Sequence, residues 1–270
     1  MTILGEFAGD RVRATLTAHI AHVRLNRPEK MNALDPEMFD ALIAAGRTVA
    51  QTRGVRVVVL SGAGRAFCAG LDTASFSRAP DPDEPPLAER THGNTNRFQE
   101  VAMVWARCPV PVIAAVHGVC FGGGLQIASG ADLRVCAPDA RLSIMEMKWG
   151  LVPDMGGFAL WRGLVRPDLL RELVYTNREL SGQEALTAGL VTFTDPDPLA
   201  RAMAIAATIA SRNPEAVREA KRLFTAMLDQ PTDAILLAES EAQERVIRRP
   251  NQVEAVVAAM SGRPPVFSDD

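Results

Sequence analysis

Short β-branched runs alternating with amphipathic segments predict an α/β fold with largely parallel strand pairing. Three observations carry that prediction. Val55–Leu60 and Val112–Val116 read as buried strands, and each runs into a small-residue loop. Asp35-Pro36-Glu37 is a strong helix start, with Asp as N-cap, Pro at the first position and an acid in the first turn. From Asp197 onward the pattern turns almost wholly helical.

Taken in order, Val12–Leu16 and His19–Leu25 read as two strands joined by a tight turn. The helix after Asp35 carries Met38, Leu42, Ile43 and Val49 on one apolar stripe. Strand Val55–Leu60 is followed by a helix near Thr95–Ala106, strand Val112–Val116, a helix over Gly123–Ser129 and strand Leu133–Cys136. Residues 73–93 break the pattern: Ser77–Pro86 holds four prolines and three acids, which extend neither sheet nor helix, so a mobile surface loop is expected. Helices over Pro198–Ser211, Pro214–Leu228, Thr232–Arg248 and Asn251–Met260 close the chain, the second from a cap-and-proline start at Asn213-Pro214. The expected division is a core over residues 1–196 and a helical region over 197–270.

With 270 residues, 47% of them hydrophobic, the chain has ample material for a substantial core. A formal net charge of −3 supplies no basic field for nucleic acid. The apolar runs stop well short of the ~20 residues of a membrane span, and no signal peptide is evident. Cys68, Cys108, Cys120 and Cys136 show no paired spacing, so reduced thiols in a cytoplasmic, soluble protein are expected. His117 has neither Ser–His–Asp nor metal-ligand spacing around it, His19, His22 and His92 carry no assignment, and no metal site is expected.

The chemistry is concentrated in two glycine-bearing loops. Strand Val112–Val116 leads through His117-Gly118 to Gly122-Gly123-Gly124, which opens an apolar segment. Three consecutive glycines cost backbone entropy and suit a place where side chains would obstruct. Bare N–H groups at a helix start are one such place; a tight turn with close helix–strand packing is another. Strand Val55–Leu60 runs into Ser61–Asp72, a second loop with accessible backbone. One N–H from each loop could meet on one oxygen as an oxyanion hole, in which a single donor is worth about 3–4 kcal/mol of transition-state stabilisation.

Leu25–Leu34, Ala66–Asp72 and Pro111–Gly124 together resemble the three signature segments of the enoyl-CoA hydratase/isomerase (crotonase) superfamily. The similarity continues through Ala131-Asp132 and Arg141–Gly157 to Asn213–Lys221, in consistent order. The resemblance implies a spiral of repeated β-β-α units with a C-terminal helical oligomerisation region, trimers or hexamers, and an acyl-CoA substrate with no further cofactor. It assigns the oxyanion donors to Leu71 and Gly123. It also places Ala69, Leu71 and Asp72 against CoA, with Lys30 and Lys221 as candidate phosphate contacts.

The ionisable groups favour double-bond isomerisation over hydration. Family hydratases carry two glutamates; here the second matches Glu146, whereas the first position holds Gln126. An amide positions a water yet does not accept and return a proton near neutral pH. Asp154, eight residues after Glu146, has the spacing of the superfamily's dienoyl-CoA isomerases, although those carry an acid where Gln126 stands. Glu146 with Asp154 could remove and return protons across a bound enolate. Other roles stay open: Asp154 as an N-cap for the segment after it, Glu146 as a surface acid paired with Lys148 or Arg141, Gln126 as a buried amide. A hydratase with a Gln-held water and a non-catalytic acyl-CoA binder are the competing readings.

Overall fold

In the computed structural model, which describes residues 1–77, 82–228 and 230–269, ten strands build two sheets. β1 (Thr2–Phe7), β2 (Val12–Thr17) and β3 (Ile20–Leu25) form an antiparallel meander. Parallel strands β4 (Val57–Gly62), β5 (Val112–Val116), β7 (Leu133–Cys136) and β10 (Phe193–Thr194) extend it to seven. A smaller sheet joins β6 (Val119–Phe121), β8 (Arg141–Ser143) and β9 (Leu180–Ser181). Successive turns of chain give β5 then β6, and β7 then β8, one strand to each sheet. This is the β-β-α spiral that the resemblance implied.

Local chemistry explains most element starts. Asp35 caps α1 (Pro36–Gln51) by accepting from Met38 N at 2.9 Å. Asn96, one residue later than expected, forms a capping box with Gln99 at the start of α2 (Arg97–Ala106). His19 leaves its expected strand: with Ala18 it makes the two-residue hairpin turn, at φ of 67° and 46°, whose mirror-image twist matches the flanking strands. Asn213 caps the later helix α8 (Pro214–Met227), as its cap-and-proline start predicts.

The main core lies between one face of the large sheet and α1, α2 and α3 (Gly123–Ser129), with Trp105 and Trp161 buried in it. The other face is covered by α7 (Pro198–Ala210). Ala202, Ala206 and Ala210, one helical turn apart, bring it down on Val57, Val59, Ile113 and Val135. Short helices α4 (Gly157–Trp161), α5 (Pro167–Thr176) and α6 (Gly182–Ala188) follow the small sheet, and α9 (Thr232–Val246) and α10 (Pro250–Met260) end the chain. Among the described residues no helix is long and apolar enough to cross a membrane. Residues 78–81 of the proline-rich stretch lie outside the described residues. Its later part is tied to α2: Asn96 Nδ2 donates to Leu87 O at 2.8 Å and Arg90 to Gln99 Oε1 at 2.9 Å.

Candidate active site

Segment 26–34 is a bracket for the first glycine loop. Asn32 is buried in the left-handed region, at φ 56°, where Asn costs less than most residues. Its Nδ2 donates to Ala63, Ala66 and Phe67 carbonyls at 3.0, 2.9 and 3.1 Å, and its Oδ1 accepts from Arg27 N at 2.8 Å. Cys68 Sγ donates to Asn32 O at 3.1 Å and accepts from Gly70 N at 3.4 Å. Leu34 N–H donates to Gly70 O at 2.8 Å, and Leu34 O accepts from Asp72 N at 2.9 Å. That alternation turns the N–H of Leu71 away from Leu34.

The second loop lies directly against the first. Phe121 N–H donates to Cys68 O at 3.0 Å. Gly122, the cap of α3, has φ 49° and ψ −117°, a conformation glycine alone adopts readily. Gly123 is the first residue of α3, so its N–H is one that the helix leaves without an internal partner. A Cβ at Gly70 would lie 2.7 Å from Phe121 O and 3.6 Å from Gly123 N, so the Gly70 backbone packs directly against the loop that carries the Gly123 amide. Close packing also explains the triplet: a Cβ at Gly124 would meet Cys68 O at 2.5 Å, and one at Gly123 would meet Met155 Sδ at 2.7 Å. The close-approach use of the glycines is thus seen directly, and the Gly123 N–H at the helix start stays without an internal helical partner.

A cavity of 440 Å³ opens beside these amides, lined by Ala69, Gly70, Leu71, Gly122, Gly123, Glu146 and Asp154 among others. Half-exposed Phe76 and Trp149, with ring centroids 5.2 Å apart, line it too. An adjoining cavity of 640 Å³ shares Phe39, Leu71, Leu87 and Phe98 with it and reaches the proline-rich stretch.

Glu146 begins a 3₁₀ turn after β8 and is 8% exposed, so the surface-acid alternative does not hold. Its Oε1 accepts from Gln126 Nε2 at 2.6 Å, while Oε2 is buried with no hydrogen-bond partner among the described residues. Burial pushes this carboxyl above the ordinary glutamate value, and the charge of Asp154 pushes the same way. The backbone and Gln126 hydrogen bonds pull against them. Asp154 sits at the solvent edge of the cavity, its carboxyl also raised by partial burial. It does not cap α4, which starts from Gly156 without a side-chain cap. Gln126, fully buried, accepts on Oε1 from Met155 N and Gly157 N, both at 2.9 Å. Those two donors fix which end of the amide is oxygen, and they leave it no lone pair to hold a water.

The candidate CoA contacts divide. Ala69 and Leu71 line the cavity. Lys30 is exposed beside Asp72, whose carboxyl Arg27 chiefly, and Lys30 in part, hold below the usual range. Asp72 is not disposed toward an anionic ligand: it pairs with Arg27 Nη1 at 2.6 Å and accepts from Ala74 N at 3.1 Å. Lys221 must be corrected outright. It is buried at 6% exposure, and its ammonium donates to Asp132 Oδ2 at 2.8 Å and to Val110 and Trp105 carbonyls at 2.9 and 3.4 Å. All three of its protons are spent inside the fold. His117 Nε2–H donates to Gly64 O at 2.9 Å, and the residue stays outside the cavity lining. Arg141, Lys148 and Trp149 also line the cavity, and neither cation is paired with Glu146 among the described residues. Arg141 pairs with Glu179 at 2.6 Å, and Lys148 stands 5.5 Å over the Trp149 ring. They fall inside the matching segment 141–157, but nothing in their spacing marks them as cavity residues.

The sequence matches the family profile described as Enoyl-CoA hydratase/isomerase over residues 15–270. It is 34% identical over 250 residues to the mitochondrial Delta(3,5)-Delta(2,4)-dienoyl-CoA isomerase of Rattus norvegicus, covering 90% of this chain and 76% of that protein. It is 30% identical to the peroxisomal Delta(3,5)-Delta(2,4)-dienoyl-CoA isomerase of Arabidopsis thaliana, covering 95% of each. The crystal structure of an enoyl-CoA hydratase from Bacillus anthracis superposes with a TM-score of 0.88 at 29% identity, covering 96% of this chain and 100% of that one. The chain therefore belongs to the enoyl-CoA hydratase/isomerase family, with the crotonase fold.

Proposed function

We propose that this enzyme shifts a carbon–carbon double bond in an enoyl- or dienoyl-CoA thioester through an enolate. Leu71 and Gly123 N–H groups hold the thioester oxygen as negative charge develops on it. The carbon next to the thioester carbonyl then lies within the same cavity as Glu146, whose Oε1 is 3.3 Å from the position a Cβ would take at Gly122. Glu146 removes the proton there, and its electrons pass into the enolate. Asp154, at the far edge, returns a proton to the distant end of the conjugated system, and a proton passing from Glu146 to Asp154 restores both groups. Burial raises both carboxyls above their ordinary values, the direction in which a carboxyl becomes a better proton carrier.

The observation that carries this reading is Gln126. Its oxygen is saturated by two backbone donors and its nitrogen faces Glu146, so it supports the base without supplying a second one. Hydration would require a second group to activate water. Ala69 and Leu71 contribute backbone to the CoA moiety, with Lys30 the remaining sequence-matched cation. The acyl group extends from Leu71 toward Phe39 and Phe98.

Residues 1–196 carry the chemistry, and 197–270 supply a surface for assembly into trimers or hexamers. Exposed Phe224, Leu228, Leu237, Val257 and Met260 on or beside the last helices support that assembly. Four free, buried cysteines fit a reducing cytoplasmic setting. The direct test is to offer purified protein 3,5-dienoyl-CoA, 3-enoyl-CoA and 2-enoyl-CoA. Isomerisation of either of the first two is the expected result, and fast hydration of the third alone would defeat the proposal.

A further inference from the structure

We infer that Gln126 is a positioning residue that determines which oxygen of Glu146 carries the transferred proton. The inference rests on the isomerase reading above and adds an atomic assignment to it. Three bonds lock the amide: two backbone N–H groups on its oxygen, and its own Nε2–H on Glu146 Oε1 at 2.6 Å. Because Nε2 only donates, Oε1 of Glu146 must remain an acceptor in both protonation states. The proton then resides on Oε2, which is buried and has no hydrogen-bond partner among the described residues.

The step balances as follows. A lone pair on Oε2 forms an O–H bond, the substrate C–H bond breaks, and its electron pair moves to the thioester oxygen. In the enolate state Glu146 is a neutral acid, with O–H on Oε2 and a carbonyl-like Oε1 still accepting from Gln126. No other reactant is needed.

The same amide also sets where the two carboxylates stand relative to the oxyanion donors. Gln126 N–H donates to Gly122 O at 3.0 Å, so the residue stands one helical turn after the Gly123 amide, a rise of about 4.5 Å. Met155 and Gly157, which it anchors, closely follow Asp154 in the chain. A Cβ at Gly157 would come within 2.8 Å of Gln126 Oε1, so the anchor also demands glycine there. One buried side chain thus ties α3, the Glu146 turn and the Asp154 loop into a single frame.

Three variants test this, each assayed for kcat, KM and the pH dependence of kcat with 3,5-dienoyl- and 3-enoyl-CoA, with thermal melts alongside. In Gln126→Met the donor is lost, and kcat is expected to fall on the order of 10²-fold with little change in KM. The acid limb of its profile should move to higher pH, because a hydrogen bond that favours ionised Glu146 is gone. Gln126→Glu keeps an acceptor for Met155 and Gly157, so the loop anchor is retained and thermal melts report the cost of the second buried carboxyl. The acid limb of this variant should rise, since a second carboxylate now opposes Glu146. Glu146→Gln is the control: if it retains isomerase activity, the functional reading fails whatever Gln126 does. If Glu146→Gln is inactive while Gln126→Glu keeps the wild-type kcat and pH profile, the positioning role is overturned and the reading stands.

Discussion

Leu34 and Leu71 form a parallel bridge in which Leu34 makes both hydrogen bonds, to Gly70 O at 2.8 Å and from Asp72 N at 2.9 Å. The N–H of Leu71 is thereby turned away from Leu34. A contact made by an aliphatic residue near the N-terminus thus orients a main-chain donor that no side-chain substitution can remove directly.

Displacing that donor is still feasible through Gly70. At φ 86°, an added Cβ is strained and would press on the Phe121 carbonyl at 2.7 Å, beside the Gly123 amide. Gly70→Ala should cost about 1–3 kcal/mol of stability, read from urea melts. It should lower kcat by on the order of 10²-fold through misplacement of the amide pair. Full activity in a well-folded Gly70→Ala protein would argue against a role for these amides.

The carboxylate pair gives a signed pH prediction. The proposed base, Glu146, acts only when ionised, so kcat/KM should fall as pH drops through a value raised above that of an ordinary glutamate. Asp154 contributes to that elevation by like-charge repulsion. In Asp154→Asn the acid limb should therefore move to lower pH, even as isomerisation of a dienoyl substrate weakens. An unmoved limb would show that the two carboxyls do not feel each other.

Stability carries the same sign. A carboxyl raised in the folded state favours folding while protonated, and this contribution is lost as pH rises through the folded value. At neutral pH the ionised, buried Glu146 therefore weighs against the fold. Glu146→Gln should raise the urea midpoint at pH 7 while abolishing activity, and the gain should shrink on acidification. A lower midpoint for the variant at pH 7 would contradict the assignment.

Lys221 separates structure from ligand binding. Its removal leaves Asp132 and two carbonyls short of a donor, so Lys221→Met should destabilise by about 2 kcal/mol, less than a fully buried pair because Asp132 reaches solvent. The KM for an acyl-CoA substrate should not change. A selective rise in KM without loss of stability would restore the phosphate-contact role.

Much of this architecture was readable beforehand, because its determinants are local. Asp35-Pro36 and Asn213-Pro214 announce helix starts through their own backbone needs, and Val112–Val116 announces a buried strand by composition. The two- and three-residue strands β6, β8, β9 and β10 are too short for any periodicity to mark them. The identity of the site segments was legible, yet the state of particular side chains was not. Lys221 and Gln126 are polar letters in helices, and what decides their roles lies far away in the chain. Lys221 meets a carboxylate 89 positions off, and Gln126 meets main-chain groups 29 and 31 positions off. Arg27 and Asn32 likewise belong to a recognisable motif, but their task of bracketing loop 66–72 appears only once the loops are brought together.

The most direct measurement compares wild-type protein and Glu146→Gln on 3,5-dienoyl-CoA in D₂O, following both the bond shift and deuterium at the new C–H position. Wild type should convert the diene, and the variant should lose on the order of 10²–10⁴-fold in rate. Undiminished conversion by Glu146→Gln, or a wild-type enzyme that only hydrates 2-enoyl-CoA, would contradict the account.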